Sequence, residues 1–373
     1  MKKTKVFIDV YYYKAALSGI RTYITELKFA SENHGSNNIE YIFSHDLDKL
    51  SNNQLYLNSS NQLIRWLFQF NYLIWKQLIL PIKLLWFRPE YLICPDYVSP
   101  ILSFNTKKLT VIHDSLFWDY PKNYRPLWRK YFISLINFGI NNQTQIITTS
   151  NYSKNNLLKV IKKTNLIDYV YQSFENVLDS KDNLESKIQL PESYILHIGS
   201  FEKRKDLITL VKAFHVIKKQ ESNKKIKLVL AGAQVVNGNK KIIKQIKRYI
   251  LNNDLENEVI LPNYITKEDA HSYYKNALMY VFPSVDEGFG IPIIEAFSCS
   301  LPVICSDIPV FKEIGNDSVS YFKKGDFISL SKKIQTLINS KDLREELINK
   351  GNNQLNKFSR KNFIRGFEDL IID

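Results

Sequence analysis

Two glutamates eight residues apart, Glu287 and Glu295, sit in the string Pro283-Ser284-Val285-Asp286-Glu287-Gly288-Phe289-Gly290-Ile291-Pro292-Ile293-Ile294-Glu295-Ala296. An apolar run, Met279–Phe282, leads into this glycine-bearing loop, and Pro292 marks a helix start, where no intrahelical N–H partner is lost. The unpaired N–H groups and positive dipole end of such a helix form an anion site. Gly288 and Gly290 carry no side chain, which leaves room for a phosphate beside the backbone. Carboxylates next to a phosphate suit hydroxyl recognition, because each accepts sugar O–H bonds. This reading puts Glu287 in the loop and Glu295 in the first turn of the helix, where Glu295 would serve equally as a helix N-terminal charge. Lys203-Arg204-Lys205 is a second candidate anion site; in a lysine-rich chain such a triplet is also an ordinary solvated face.

The elements that must position these residues alternate between short β-branched runs and stretches of helical period, the pattern of α/β architecture. Strands are expected at Lys5–Asp9, Tyr41–Phe43, Tyr91–Cys94, Leu109–His113 and Gln145–Thr149. Further strands are expected at Tyr194–Ile198, Ile226–Ala231, Val259–Leu261, Met279–Phe282, Val303–Cys305 and Val319–Phe322. Leu207, Leu210, Val211, Phe214 and Ile217 show the helical spacing between them. Two doubly wound parallel-sheet domains follow, with a polar, charge-mixed boundary inside Ser173–Pro191. The first domain is expected at residues 1–175 and the second at 190–357, with a last helix in 358–373 that periodicity assigns to neither.

A length of 373 residues fits two domains better than one. Hydrophobic residues at 45% and charged residues at 24% exclude a disordered or fibrous chain. Lys and Arg number 51 against 37 Asp and Glu, giving +14, which suits an anionic partner such as a nucleotide, a nucleic acid or an acidic membrane. Cys94, Cys299 and Cys305 show neither a disulfide framework nor metal-ligand spacing, so a reducing, cytoplasmic location is expected. The N-terminal MKKTKVFIDV reads as a first strand rather than a signal peptide. No apolar run reaches the ~20 residues of a membrane span.

Leu63–Phe87 departs from this pattern: LIRWLFQFNYLIWKQLILPIKLLWF, with Arg65, Lys76, Lys83 and Arg88 spaced through it. All five tryptophans fall between residues 66 and 128. Aromatic rings mixed with cations suit a helix lying in a bilayer interface. The same stretch also suits amphipathic helices packed on a sheet. On the first reading, replacing Trp75 and Trp86 by Ser weakens liposome binding.

The string from Pro283 to Ala296 resembles the retaining, nucleotide-sugar-dependent glycosyltransferases of family 4, of the surface-polysaccharide type. The resemblance extends over most of the chain. Gly199-Ser200-Phe201-Glu202-Lys203-Arg204-Lys205-Asp206-Leu207 is similar to the family's G-T-x-x-x-R-K-N-L, and Leu228-Val229-Leu230-Ala231-Gly232 to the strand end that follows. In the first domain Ser18-Gly19-Ile20-Arg21-Thr22-Tyr23 resembles T-G-I-x-R-Y, Val111-Ile112-His113-Asp114 resembles T-I-H-D, and Thr149-Ser150-Asn151-Tyr152-Ser153 resembles T-V-S-x-x-S. Departures are Asp206 where Asn is usual, Ser200 where some relatives carry Arg, and no asparagine-glycine signature in Val170–Glu175.

The resemblance implies a GT-B fold, two Rossmann-like domains facing a cleft. It implies that Arg204 and Lys205 hold the donor diphosphate, with Ser200 beside them, and that Glu295 binds the ribose. Glu287, with the amides of Phe289, Gly290 and Ile291, would bind the transferred sugar and phosphate. His113 would contact the sugar near its reacting carbon, and Gly19 would let the first-domain loop approach the phosphates. No metal or cofactor is implied, because such cations and a helix N-terminus stabilise the leaving nucleoside diphosphate. The implied reaction moves a hexose, with retention, from a nucleotide-diphosphate sugar (GDP-mannose the first candidate) to a glycan or lipid-linked oligosaccharide. Peripheral contact with the anionic inner-membrane face through residues 63–88 would accompany a lipid-linked acceptor. A GT-B hydrolase or epimerase of nucleotide sugars is the alternative. A metal-dependent enzyme built on Asp46-Leu47-Asp48 and a basic nucleic-acid binder fit less well, the latter lacking any recognition motif. The base is expected near Pro262–Ile265.

Overall fold

The computed structural model describes residues 3–16, 19–51, 62–164, 166–174, 189–232, 240–262 and 265–372. The chain divides into two units, the first formed by residues up to Ser173 together with those from Phe358 onward, the second by Phe174–Lys357.

The first unit holds a parallel sheet of six strands: β1 (Thr4–Ile8), β2 (Ile39–Phe43), β3 (Tyr91–Cys94), β4 (Lys107–Val111), β5 (Thr144–Thr148) and β6 (Ile167–Tyr169), in the order β2-β1-β3-β4-β5-β6. The chain reverses direction across the sheet between β1 and β3, which makes that gap the topological switch point where α/β sheets take ligands. β3 is buried along its whole length, which explains its unbroken apolar run. β4 begins and ends two residues earlier than the sequence suggested, so Ile112 and His113 lie beyond its end. β6 was not anticipated: it has three residues and pairs with β5 from Ile146 to Thr148. The C-terminal helix Arg360–Ile372 belongs to this unit. Its Phe363, Ile364, Phe367 and Ile371 join a core with Tyr23, Ile24 and Leu27 of the helix Gly19–His34, and Arg360 pairs with buried Glu26.

The segment of doubtful role is a helix Gln62–Ile74, a π-helical turn Trp75–Ile79 and a helix Leu80–Phe87. The π turn coincides with Pro81, which has no N–H to give the carbonyl of Gln77. Phe68, Tyr72, Trp75, Leu80 and Leu84 are buried while Trp66, Phe70, Ile82 and Trp86 are exposed, so the segment packs one face on the core and leaves the other face exposed. Lys76 is not an interfacial cation. It is fully buried, with Nζ 2.7 Å from both Asp9 and Asp96. Trp75 is likewise buried and donates to Asp9, so replacing it would test the core rather than a lipid contact. No helix among the described residues is long and apolar enough to cross a membrane.

The second unit holds another six-stranded parallel sheet: β7 (Tyr194–Ile198), β8 (Lys227–Ala231), β9 (Val259–Ile260), β10 (Met279–Phe282), β11 (Val303–Ser306) and β12 (Ser320–Phe322), in the order β12-β11-β10-β7-β8-β9. This is the doubly wound dinucleotide-fold order, with its switch point between β7 and β10. Residues 175–188 of the expected boundary, and residues 263–264 of the expected base-binding stretch, lie outside the described residues.

Candidate active site

The loop after β7 and the loop after β10 meet at the second unit's switch point. The first ends in a 3-10 turn, Lys203–Lys205, and passes through Asp206 at φ 45° into the helix Leu207–Lys218. Asn, followed by Asp, tolerates this left-handed conformation best among residues with a side chain, which accounts for both the usual Asn and the Asp found here. Asp206 accepts from the hydroxyl of Thr209 at 2.7 Å. The two loops are joined by the backbone, Val285 N–H donating to the Arg204 carbonyl at 2.7 Å.

Side chains complete the junction. Glu287 lies between two cations: Lys205 Nζ is 2.6 Å from one carboxylate oxygen and Arg204 2.5 Å from the other. Ser284 Oγ donates to the same carboxylate at 2.8 Å. Burial works to raise the pKa of Glu287, but Arg204, Lys205 and these hydrogen bonds outweigh it and hold the carboxyl at about 2. Glu287 is therefore an anion at every physiological pH and can accept hydroxyl protons in hydrogen bonds but not deliver one. Lys205 is buried beside it, with its ammonium over the ring of Phe282.

Sequence reasoning gave Glu202 no role, yet it braces the site. Arg204 Nε donates to one of its oxygens at 2.9 Å and Ser200 Oγ to the other at 2.7 Å. Ser200 thus orients Glu202. The signal was present, since Glu202 lies inside the matched motif, but the motif treats that position as variable.

Gly290, at φ 109°, caps the helix Ile291–Ser298, and a Cβ there would press on the ring of Phe311 at 3.1 Å. Ile291 and Pro292 begin the helix, as expected. Phe289 buries its ring, which leaves its backbone as the part that could meet a ligand. Glu295 is the fifth residue of the helix, so it stands one residue past the first turn expected from sequence and is not a helix N-terminal charge. It accepts from Tyr274 Oη at 2.9 Å. Tyr274 comes from the helix Lys267–Asn276, an element with no motif to flag it. Beneath these groups lies His197 on β7, fully buried near Tyr280 and Phe282, with Nδ1 2.9 Å from the Val281 carbonyl. Burial pushes its pKa down to about 4, and Lys205 adds to that.

The other two expected residues lie in the first unit. His113 follows β4, and its Nε2 is 2.8 Å from the Pro95 carbonyl. A carbonyl can only accept, so Nε2 carries the proton and Nδ1 the lone pair. Burial lowers its pKa to about 4, keeping the ring neutral. Gly19 opens the helix Gly19–His34, and a side chain there would meet no atom, so packing within the unit does not require glycine. Asp46 accepts from the backbone N–H of Asp48 at 2.9 Å, a helix-start role. Among the described residues no group of three or more His, Cys, Asp or Glu is arranged to hold a metal.

Residues 180–354 match the family model of glycosyl transferases group 1. Over 306 residues the chain is 25% identical to the O-antigen chain mannosyltransferase RfbU of Salmonella typhimurium, covering 82% of this chain and 79% of that one. It is 26% identical over 268 residues to the O-antigen chain mannosyltransferase B of Escherichia coli, covering 69% and 68%. A solved glycosyltransferase from Rickettsia africae has the same fold, with a TM-score of 0.67 and 18% identity over 99% of this chain and 98% of that one. With two parallel Rossmann-like units and a group 1 glycosyl transferase domain in the second, the chain is a glycosyltransferase of the GT-B fold.

Proposed function

We propose that the protein is a retaining family 4 hexosyltransferase of surface-polysaccharide synthesis that takes GDP-mannose and elongates a glycan or lipid-linked oligosaccharide. The observation that carries this is the junction of Arg204, Lys205 and Glu287 at the switch point, taken with the mannosyltransferases among the relatives. Two cations face two carboxylates there, so the pair of cations is held ready and a donor diphosphate displaces Glu287 from part of its pairing. Arg204 and Lys205 then stabilise the charge that develops on the leaving diphosphate, without a metal. Glu287, always ionised, accepts hydroxyls of the transferred sugar, and the Phe289, Gly290 and Ile291 amides approach its phosphate. Glu295 takes the ribose. His113, neutral with its lone pair on Nδ1, accepts a sugar hydroxyl. The departing diphosphate removes the acceptor's proton on the same face, which preserves configuration. The site of work is the cytoplasmic face of a membrane, touched through residues 63–88.

The test measures thermal shifts with GDP, UDP and dTDP on the wild type and on Lys205→Ala and Glu295→Ala. At 100 times Kd a ligand adds about 2.7 kcal/mol. GDP alone is expected to stabilise the wild type and neither variant, and Lys205→Ala to lower kcat by roughly 100-fold or more. Free mannose as the main product would make the protein a hydrolase, an inverted anomer would remove retention, and no shift with any nucleotide would remove the donor site.

A further inference from the structure

Large apolar side chains are exposed in one part of the molecule far more than elsewhere. Of 23 such residues among those described, 17 belong to the helical segment from Gln62 to Phe87, the loop at 100–104 and the helix Pro126–Gly139. We propose that these three elements form one bilayer-facing surface for anionic phospholipid, so that the contact proposed above for residues 63–88 is extended by a loop and a second helix that the sequence did not single out.

The elements adjoin one another. Phe68 and Tyr72 of the first helix share a core with Leu135 and Ile136 of the second. The loop lies between them: Ile101 N–H donates to the Gln77 side chain at 3.0 Å on one side. On the other side Ser103 Oγ donates to Gln143 at 3.1 Å. Lys108, fully buried, donates to the carbonyls of Pro100 at 2.9 Å and Gly139 at 2.6 Å, which fastens the loop to the end of the second helix. Thus Trp86 (81% exposed), Leu102 (60%) and Leu127 (84%) are carried by parts held in fixed relation. Phe104 has φ 53°, a costly conformation for an aromatic residue, and its ring is nevertheless exposed. Neither the fold's core nor a hydrogen bond explains that ring; a lipid contact does.

Charge selects the partner. The three elements, residues 62–87, 100–104 and 126–139, contain five Lys and Arg and no Asp or Glu, while exposed Asp119 lies among the cations that flank them. Lys76 and Lys108 are buried and serve the structure, whereas Arg88, Lys122, Arg125 and Lys130 are exposed beside the apolar side chains. Apolar rings flanked by cations, on elements that carry no carboxylate of their own, match the headgroup region of an anionic leaflet, where each nearby cation adds attraction.

The experiment is co-sedimentation of the full chain with phosphatidylcholine vesicles, with and without phosphatidylglycerol, using Leu102→Ser/Phe104→Ser, Leu127→Ser/Phe138→Ser and Ile82→Ser/Trp86→Ser. The wild type is expected to bind the phosphatidylglycerol vesicles, and each double variant to lose about tenfold in partitioning at unchanged melting temperature, since the altered side chains are exposed. If only the Ile82/Trp86 variant loses binding, the three-element surface is wrong while contact through 63–88 stands. Equal binding to neutral vesicles would overturn the charge argument. No vesicle binding by the wild type removes both readings, and a dimer broken by the same substitutions would reassign the surface to a second copy of the chain.

Discussion

Each of the two sheets carries an ion network at its C-terminal edge, at the switch point, and the two networks are built oppositely. In the first unit one cation serves two carboxylates: Lys76 lies between Asp9, just past β1, and Asp96, just past β3, and all three side chains are fully buried. Tyr72 and Trp75 donate to the same aspartates, at 2.8 and 2.9 Å. In the second unit two cations serve two carboxylates; Lys205 and Glu287 are buried, while Arg204 at 18% and Glu202 at 38% stay partly open. A lysine inserted from outside the sheet thus closes one crevice, whereas the other leaves Arg204 and Glu202 partly open beside a buried Lys205–Glu287 pair. The fold supplies the same edge twice, and whether it becomes scaffold or site depends on the ratio of cations to carboxylates and on access.

The largest test of this contrast removes Lys76. Lys76→Ala leaves two buried carboxylates facing each other, and breaking such a pair costs about 3–5 kcal/mol. Lys205→Ala leaves Glu287 still paired with Arg204, so its loss of stability should be clearly smaller although its loss of turnover is larger. Urea denaturation of both variants checks this. Equal destabilisation would mean that the second network is as structural as the first.

That contrast could not be read from the sequence. The string from Pro283 to Ala296 announced its loop and helix because glycines, a proline and carboxylates had to be close in the chain to do their work. Asp9, Lys76 and Asp96 are brought together only by the order of strands, and no spacing reports a partner some 20 or 70 residues away. Lys76 was therefore read by its neighbours, as one cation in an aromatic stretch. Most strands were legible because a parallel sheet buried on both faces demands unbroken apolar runs; β6, at three residues with Asp168 in its middle, offers none. The C-terminal helix had the right period but nothing to name its host, which is fixed by contacts with Tyr23 and Glu26 far back in the chain.

The next effect concerns acid. His197 is buried and neutral with its pKa lowered to about 4, while an unfolded histidine titrates near 6.5. The unfolded chain then binds more protons between those values, so this residue makes stability fall as pH drops from about 6.5 to 4, by up to about 3 kcal/mol. Glu287, at about 2 against an ordinary 4.5, extends the loss as pH falls further. In the first unit His113 acts in the same sense, but Asp96 opposes it: burial raises that carboxyl to about 6 despite Lys76, so its contribution improves as pH falls through the same window. His197→Phe is expected to flatten the decline of melting temperature between pH 6.5 and 4, and an unchanged slope would show that His197 is not buried neutral.

The smallest effect tests whether an open site is also a tuned one. Tyr274 donates to one oxygen of Glu295, and it does so from a different helix, so the carboxylate is fixed by packing rather than by its own rotamer alone. Tyr274→Phe keeps the ring and its contact with Tyr280 and removes only that donor. A lost neutral-to-charged hydrogen bond of this kind is worth about 1–2 kcal/mol where the partner is left buried, less where water replaces it, so a three- to tenfold weaker nucleoside diphosphate is expected, about 1 kcal/mol. If Glu295 reads the ribose, the weakening should fall on the ribonucleotide and spare its 2′-deoxy counterpart, and it should raise KM for the donor while leaving kcat nearly unchanged. Isothermal titration with GDP and 2′-deoxy-GDP separates these outcomes. Equal weakening of both would show that Tyr274 supports the helix Ile291–Ser298 in general rather than the aim of one carboxylate, and the second network would then be only as specific as its cations.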